Sequence, residues 1–369
     1  LLSKGKLKAA RLNVTQAMLF VTIVSVVPSV LMMIFSDATA RMLGASDYLL
    51  PMVKEYLLWF IPSWVFQIWI SVSLFIIRLD GAPKLAMLCS LITAIVNIVL
   101  DWLFIFPLGW GVMGAAFASS LSLAVGGVIA IIYLAFHARQ LRFHPLKMSV
   151  TSLKLSIRNI SYQCRIGSSA LLGEATLAVL MFVGNQVFMR YLGDNGVGAF
   201  GITCYYIPFV FMVGNAIAQS AQPIISYNFG LGYKKRIADT EKIALTTAIV
   251  CGVIVTAAFS LCPKLLVGLF VETDNTAARL AIAGFPYFSV GFVFFIVNLS
   301  AVGYFQSVER VKPATIFALF RGFIFLIPSF LILPQILGAT GIWLAMPFSE
   351  ILTCACIAAF YLFCKWNVK

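Results

Sequence analysis

Four ionisable side chains stand inside long apolar stretches of this sequence: Asp101, Glu174, Arg321 and Glu350. A charge at the centre of a membrane helix costs about 2.5–3.5 kcal/mol, so each needs either a function or a partner. Asp101 follows Asn97 by four residues, which puts both on one face of a helix. Such a pair either coordinates a cation or shares a proton, or else it caps and bridges neighbouring helices. Glu174 is flanked by Gly173, Ala175 and Thr176. A lone carboxylate at that depth suits a proton or sodium carrier; the alternative is a neutral acid in a helix-packing hydrogen bond. Arg321 and Glu350 lie nearer helix ends or small-residue segments, where they are expected to pair and hold the bundle.

Other chemistry finds little support. Both histidines, His137 and His144, fall in one basic loop. There is no His-Glu-x-x-His, no Gly-x-Ser-x-Gly and no phosphate-cradling loop ending in Gly-Lys-Ser/Thr. The 8 cysteines lie mostly in apolar runs, without metal-site spacing, and no disulfide framework is expected. The chain reads as a non-enzyme needing no cofactor.

The elements that must carry these residues are membrane helices. The composition is 62% hydrophobic and 11% charged, with mean hydropathy +1.00; a soluble domain carries about 25% charged residues. Ten apolar runs approach the length of about 20 residues needed to cross a bilayer as helix: 14–35, 57–77, 85–106, 112–136, 166–189, 198–225, 243–262, 281–305, 314–333 and 341–364. Pro62, Pro208 and Pro286 fall in these runs, where a packed bundle tolerates a kink. The net charge of +13 is no nucleic-acid footprint. With the N-terminus inside and sides alternating, 20 of the 26 basic residues fall in inner segments and 5 in outer ones, the remaining one being Arg321. The positive-inside rule accounts for that split. The expectation is a multi-pass protein of the cell membrane, in bacteria the inner membrane, with both termini cytoplasmic.

The second half repeats the first at an offset of about 227 residues. Leu43-Gly44-Ala45-Ser46-Asp47 falls on Phe270-Val271-Glu272-Thr273-Asp274, Gly114 on Gly341, and Gly5-Lys6-Leu7-Lys8 on Gly232-Tyr233-Lys234-Lys235. The stretch from Ile166 to Tyr227 has no counterpart, so about 70 residues, two helices' worth, are expected ahead of residue 1. The fold class is then an all-α polytopic membrane protein of two pseudo-symmetric six-helix lobes, the first represented by four helices. The lobes are 1–137 and 166–369, joined by a cytoplasmic loop at 138–165.

Several motifs carry a family resemblance. Asn97-Ile98-Val99-Leu100-Asp101, followed by Gly109-Trp110-Gly111-Val112-Met113-Gly114-Ala115-Ala116-Phe117-Ala118-Ser119, resembles the fifth and sixth helices of multidrug and toxic compound extrusion (MATE) transporters. Gln222-Pro223-Ile224-Ile225-Ser226-Tyr227-Asn228-Phe229-Gly230 with the basic turn Lys234-Lys235-Arg236 is similar as well. So is Gly338-Ala339-Thr340-Gly341-Ile342-Trp343-Leu344-Ala345-Met346-Pro347, at the entrance to that family's last helix. The ten runs would be its third to twelfth helices.

The resemblance implies an antiporter that exports organic, often cationic, compounds on a sodium or proton gradient by alternating access. One branch of the family builds a first-lobe cation site from an acid on helix one, an Asn and an Asp on helix five and a Thr on helix six. Asn97 and Asp101 match, and Ser119 stands in the Thr position; the first-helix acid falls outside this sequence. Another branch uses a Glu on helix seven and an Asp on helix ten. Glu174 matches the Glu, while the tenth helix offers Asn298 in place of a carboxylate. Aromatic faces attract organic cations, and Tyr205, Tyr206 and Phe209, with Asn298, Arg321 and Glu350, are the cavity candidates. A lipid-linked precursor flippase of the same superfamily, or an inactive fragment, is the alternative; a flippase would want several cavity arginines, and only Arg321 is available. The expected partners are small organic substrates and the bilayer, with no nucleic acid, and the chain is expected to be monomeric.

Overall fold

In a computed structural model the described residues are 1–42, 47, 50–146 and 149–366. Leu43–Ser46 of the repeat alignment, and Lys147 and Lys369 of the charge tally, lie outside them. The described residues form thirteen α-helices and no strand, and they divide into two compact units, Leu1–Tyr162 and Gln163–Lys369.

The first unit holds α1 (Leu7–Ile34), the short α2 (Ser36–Met42), α3 (Leu50–Phe60), α4 (Ser63–Leu79), α5 (Pro83–Ile105) and α6 (Gly111–Ile132). Tyr133–His137 prolong α6 as a π-helical turn. Helices α3 and α4 form one crossing bent by 42°. Pro62 lies in the break, where its missing N–H interrupts the ladder. The second unit holds α7 (Val150–Leu231, whose first residues belong to the first unit), α8 (Lys234–Leu261), α9 (Pro263–Gly268), α10 (Thr276–Ser307), α11 (Val311–Leu319), α12 (Leu326–Leu337) and α13 (Ala339–Trp366). The π-helical turn Phe320–Ile324 joins α11 to α12 in one crossing.

Helix α7 is two crossings. Gly193, at φ +62° and ψ −156°, breaks it. A Cβ at Gly184 would overlap the Phe200 ring, although a straight helix would hold these residues about 24 Å apart. Eight helices are long and apolar enough to span, nine with the bent pair. Counting the two arms of α7 separately gives ten crossings among the described residues, four in the first unit and six in the second.

The repeat is visible in the backbone. Gly5 and Gly232 both take positive φ (+67° and +79°), as do Gly111 and Gly338 (+55° and +60°); each pair is 227 residues apart. The helices that follow the first pair, α1 and α8, are both 28 residues long. Gly81 (φ +89°) and Glu309 (φ +56°) repeat the pattern one residue out of step. Gly114 sits against the Phe104 backbone and Gly341 against the Leu333 carbonyl, so both halves use glycine to close the hairpin before their last helix.

Packing in the second unit is aromatic. Phe188, Phe200, Phe285, Phe288, Phe292, Phe295 and Trp343 are all buried there. Small residues bring helices together: a Cβ at Gly252 would lie 2.7 Å from the Val293 backbone, and one at Gly291 2.8 Å from that of Pro347. Several serine and threonine hydroxyls within the spans return to their own helix carbonyls, as Ser29 does to Ser25 (2.7 Å) and Thr353 to Ser349 (2.9 Å), which satisfies them without water.

One carboxylate anchors the end of the first unit. Asp80, just past α4, accepts hydrogen bonds from the backbone N–H groups of Arg139 (2.9 Å), Gln140 (2.7 Å) and Leu141 (2.8 Å) and from the Tyr133 hydroxyl (2.8 Å). Burial pushes its carboxyl upward, but these four donors together outweigh burial and hold it below the ordinary value. Much of the expected inter-lobe loop is thereby folded into the first unit. Gln16 of α1 adds to this, accepting from Asn159 (3.2 Å) and donating to Ser156 (2.8 Å) on the first turns of α7.

Candidate functional site

Polar groups inside the second unit converge on one cavity of about 60 Å³. It is lined by Glu174 and Ser169 on the first arm of α7, Asn215 and Gln222 on the second arm, Gln306 on α10 and Arg321 in the π-helical turn. The volume exceeds the roughly 15 Å³ that one water needs, so the site can hold water among its polar walls. Three side chains run along one wall. Gln222 Nε2 donates to Gln306 Oε1 (2.9 Å), and Gln306 Nε2 donates to Ser169 Oγ (3.1 Å). This chain ties both arms of α7 to α10. Glu174 is different: it is exposed, and among the described residues its carboxylate has no hydrogen-bond or ion-pair partner.

Arg321 and Glu350 meet, as their isolation in apolar helices suggested. Arg321 Nε lies 3.2 Å from Glu350 Oε1, with the two side chains 1% and 2% exposed. Asn298 completes the cluster, its Nδ2 donating to Glu350 Oε2 (2.7 Å) and to the Glu350 carbonyl (2.9 Å). Ser349 Oγ donates to the Arg321 carbonyl (3.2 Å), and the Arg321 guanidinium lies 4.4 Å from the centre of the Phe295 ring. Neither residue is at a helix end in the packing sense: both lie in the interior. Within the π-helical turn, Gly322 is pressed against Thr176 of α7 so closely that a Cβ would overlap its Oγ1. The wider turn reshapes the backbone where Arg321 must reach the cavity wall.

In the first unit, Asn97 and Asp101 share a face of α5, and both are partly buried. Asn97 Nδ2 and Asp101 Oδ1 are buried atoms without a hydrogen-bond partner among the described residues. Close contacts of Gly126 with Thr93 and of Gly114 with Phe104 set the register of α5 against α6. That register puts Asp101 at the height of residues 117–118, within one turn of Ser119. Ser119 offers its carbonyl to Ser122 (2.9 Å), and its hydroxyl bonds to neither Asn97 nor Asp101.

The aromatic candidates separate. Tyr206 is packed among Phe259, Phe270 and Phe285, and its hydroxyl donates to the Leu266 carbonyl (2.8 Å). Tyr205 stacks on Phe270 with ring centres 5.0 Å apart and is 67% exposed. Phe209 is 56% exposed. None of the three lines the polar cavity. Its amide residues Asn215, Gln222 and Gln306 were missed in the sequence, although a glutamine in an apolar run is itself a signal.

Comparisons with known proteins agree with this architecture. The chain is 27% identical over 356 residues to the multidrug export protein MepA of Staphylococcus haemolyticus, covering 94% of this chain and 74% of that protein. It is 26% identical over 330 residues to MepA of Staphylococcus aureus, covering 88% and 70%. A MOP superfamily transporter from Pyrococcus furiosus superposes with TM-score 0.87 at 20% identity, over 97% of this chain and 79% of that one. A variant of the Vibrio cholerae MATE transporter VcmN superposes with TM-score 0.86 at 16% identity, over 99% and 82%. The family model described as MatE matches residues 1–103 and 170–331, which takes in Asn97, Asp101, Glu174, Asn298 and Arg321. Ten membrane crossings in two repeated units, carrying that match over more than half its length, place this chain in the MatE family.

Proposed function

We propose that this chain exports organic cations across the cell membrane by alternating access, driven by proton entry, with Glu174 as the coupling carboxylate. One observation carries the reading: Glu174 is a partnerless carboxylate beside a polar cavity inside a membrane-spanning bundle. A proton and an organic cation both neutralise a carboxylate, so they compete for it, and competition is what exchange transport requires. The MepA relatives are named as multidrug export proteins, which supports the substrate class. A single carboxylate among amide groups suits a proton better than sodium, which wants several oxygen ligands. Asp101, with its unpaired buried oxygen, supplies a second proton-sensitive group in the first unit. The flippase alternative loses support because Arg321, its one candidate for a pyrophosphate, is already paired with Glu350. The basic-loop split puts both termini in the cytoplasm.

In proteoliposomes with an imposed pH gradient, Glu174→Gln should abolish accumulation of a fluorescent organic cation while leaving membrane insertion unchanged. Undiminished export by that variant would overturn the assignment. Export that follows a sodium gradient and ignores a pH gradient would replace the proton with sodium.

A further inference from the structure

Arg321 has a hydrogen-bonding face that the Glu350 pair does not use. Its Nε is committed to Glu350, and both oxygens of that carboxylate are occupied, one by Arg321 and one by Asn298. Arg321 Nη2 is buried and has no hydrogen-bond partner among the described residues. A guanidinium nitrogen without an acceptor is costly where bulk water is absent. Arg321 also lines the cavity that Glu174 lines, and Glu174 lacks a partner too. Among the described residues these two are the only ionisable ones on the cavity wall, which is otherwise amide, hydroxyl and apolar, and Glu350 of α13 is the one further charge against Arg321.

We propose that Arg321 is a switchable counter-ion for Glu174, holding Glu350 through Nε at all times and taking Glu174 through Nη2, directly or through a cavity water, whenever Glu174 carries neither proton nor organic cation. This rests on the reading of Glu174 as the coupling group. The guanidinium is suited to the task because its planar fork presents separate donors to two carboxylates at once. A proton or an organic cation at Glu174 therefore displaces the same contact and frees the same nitrogen. The π-helical turn and the Phe295 ring keep the guanidinium in place while its second partner comes and goes.

The test is the pH dependence of tetraphenylphosphonium binding to the purified chain in detergent. Arg321→Met alone leaves Glu350 unpaired and is a poor probe. The informative variants are Glu350→Gln and the double variant Arg321→Met with Glu350→Met. Glu350→Gln releases the full Arg321 charge to Glu174 and should move the binding midpoint toward acid. The double variant removes the counter-ion with its partner and should move the midpoint toward alkali, by about one pH unit or more. A purely structural Arg321 would give no opposed shifts, so unmoved midpoints in both variants would overturn the inference. Glu174→Gln separates the two proposals. Loss of pH dependence in that variant, with unmoved midpoints in the others, sinks only the role of Arg321. Wild-type pH dependence in Glu174→Gln sinks the coupling assignment itself.

Discussion

At the scale of single residues, buried charge is decided by partners. Arg321 and Glu350 are almost fully enclosed and satisfy each other with Asn298. Removing one member of such a pair costs about 3–5 kcal/mol, whereas replacing both by apolar residues of similar volume is near neutral. Thermal unfolding in detergent should therefore show Arg321→Met strongly destabilised and the Arg321→Met, Glu350→Met double variant close to the parent. Equal destabilisation of the two would argue against a closed pair. Asp80 gives a pH-dependent case. Its four donors hold the folded carboxyl below 3.8, the ordinary value. The stability it contributes is fully present above that pH and is lost as the pH falls through the lowered value. Asp80→Asn puts an amide nitrogen against backbone donors and should cost about 2 kcal/mol near neutral pH. The gap between Asp80→Asn and the parent should close in acid; a gap that stays constant below pH 3.8 would contradict this.

At the scale of elements, what the sequence makes legible is local and what it hides is not. Each span announces itself by apolar length, and the glycine pairs 5/232 and 114/341 by their repeat offset, because a run or an offset is written along one chain. Pairing Arg321 with Glu350 was possible because unlike charges in apolar helices have few choices. The cavity was not readable. Its wall joins Ser169, Gln222 and Gln306, the last 84 residues beyond Gln222 and 137 beyond Ser169, and no periodicity encodes which helices become neighbours. Asp80 is a similar omission, since its three backbone donors lie about 60 residues away in a stretch that reads only as basic loop. Close approach of elements is hidden for the same reason. Gly322 meets Thr176 where a Cβ cannot fit. Gly322→Ala should cost about 1–3 kcal/mol by overpacking, and Thr176→Ala, which removes the offending oxygen, should recover part of that loss. Additive costs in the double variant would show that the two helices do not depend on this contact.

At the scale of the whole molecule, the count of crossings fixes which ends share a side of the membrane. Between Cys164, early in α7, and Cys262, just past α8, the chain makes three crossings: the two arms of α7 and then α8. An odd number places the two thiols on opposite faces. Both are exposed on the protein surface. The break at Gly193 is what makes the number odd; an unbroken α7 would leave two crossings and put both thiols on one face. The basic residues around Cys164, namely Lys154, Arg158 and Arg165, favour the cytoplasmic face for it by the positive-inside rule, which is the orientation to be tested. Single-cysteine variants retaining only Cys164 or only Cys262 separate these statements. An impermeant maleimide added to intact cells should modify Cys262 and spare Cys164, and inverted vesicles should give the reverse. Modification of both from the same side would remove the crossing assigned at Gly193. Modification on opposite but exchanged sides would keep the ten crossings and invert the orientation, and with it the direction proposed for proton entry at Glu174.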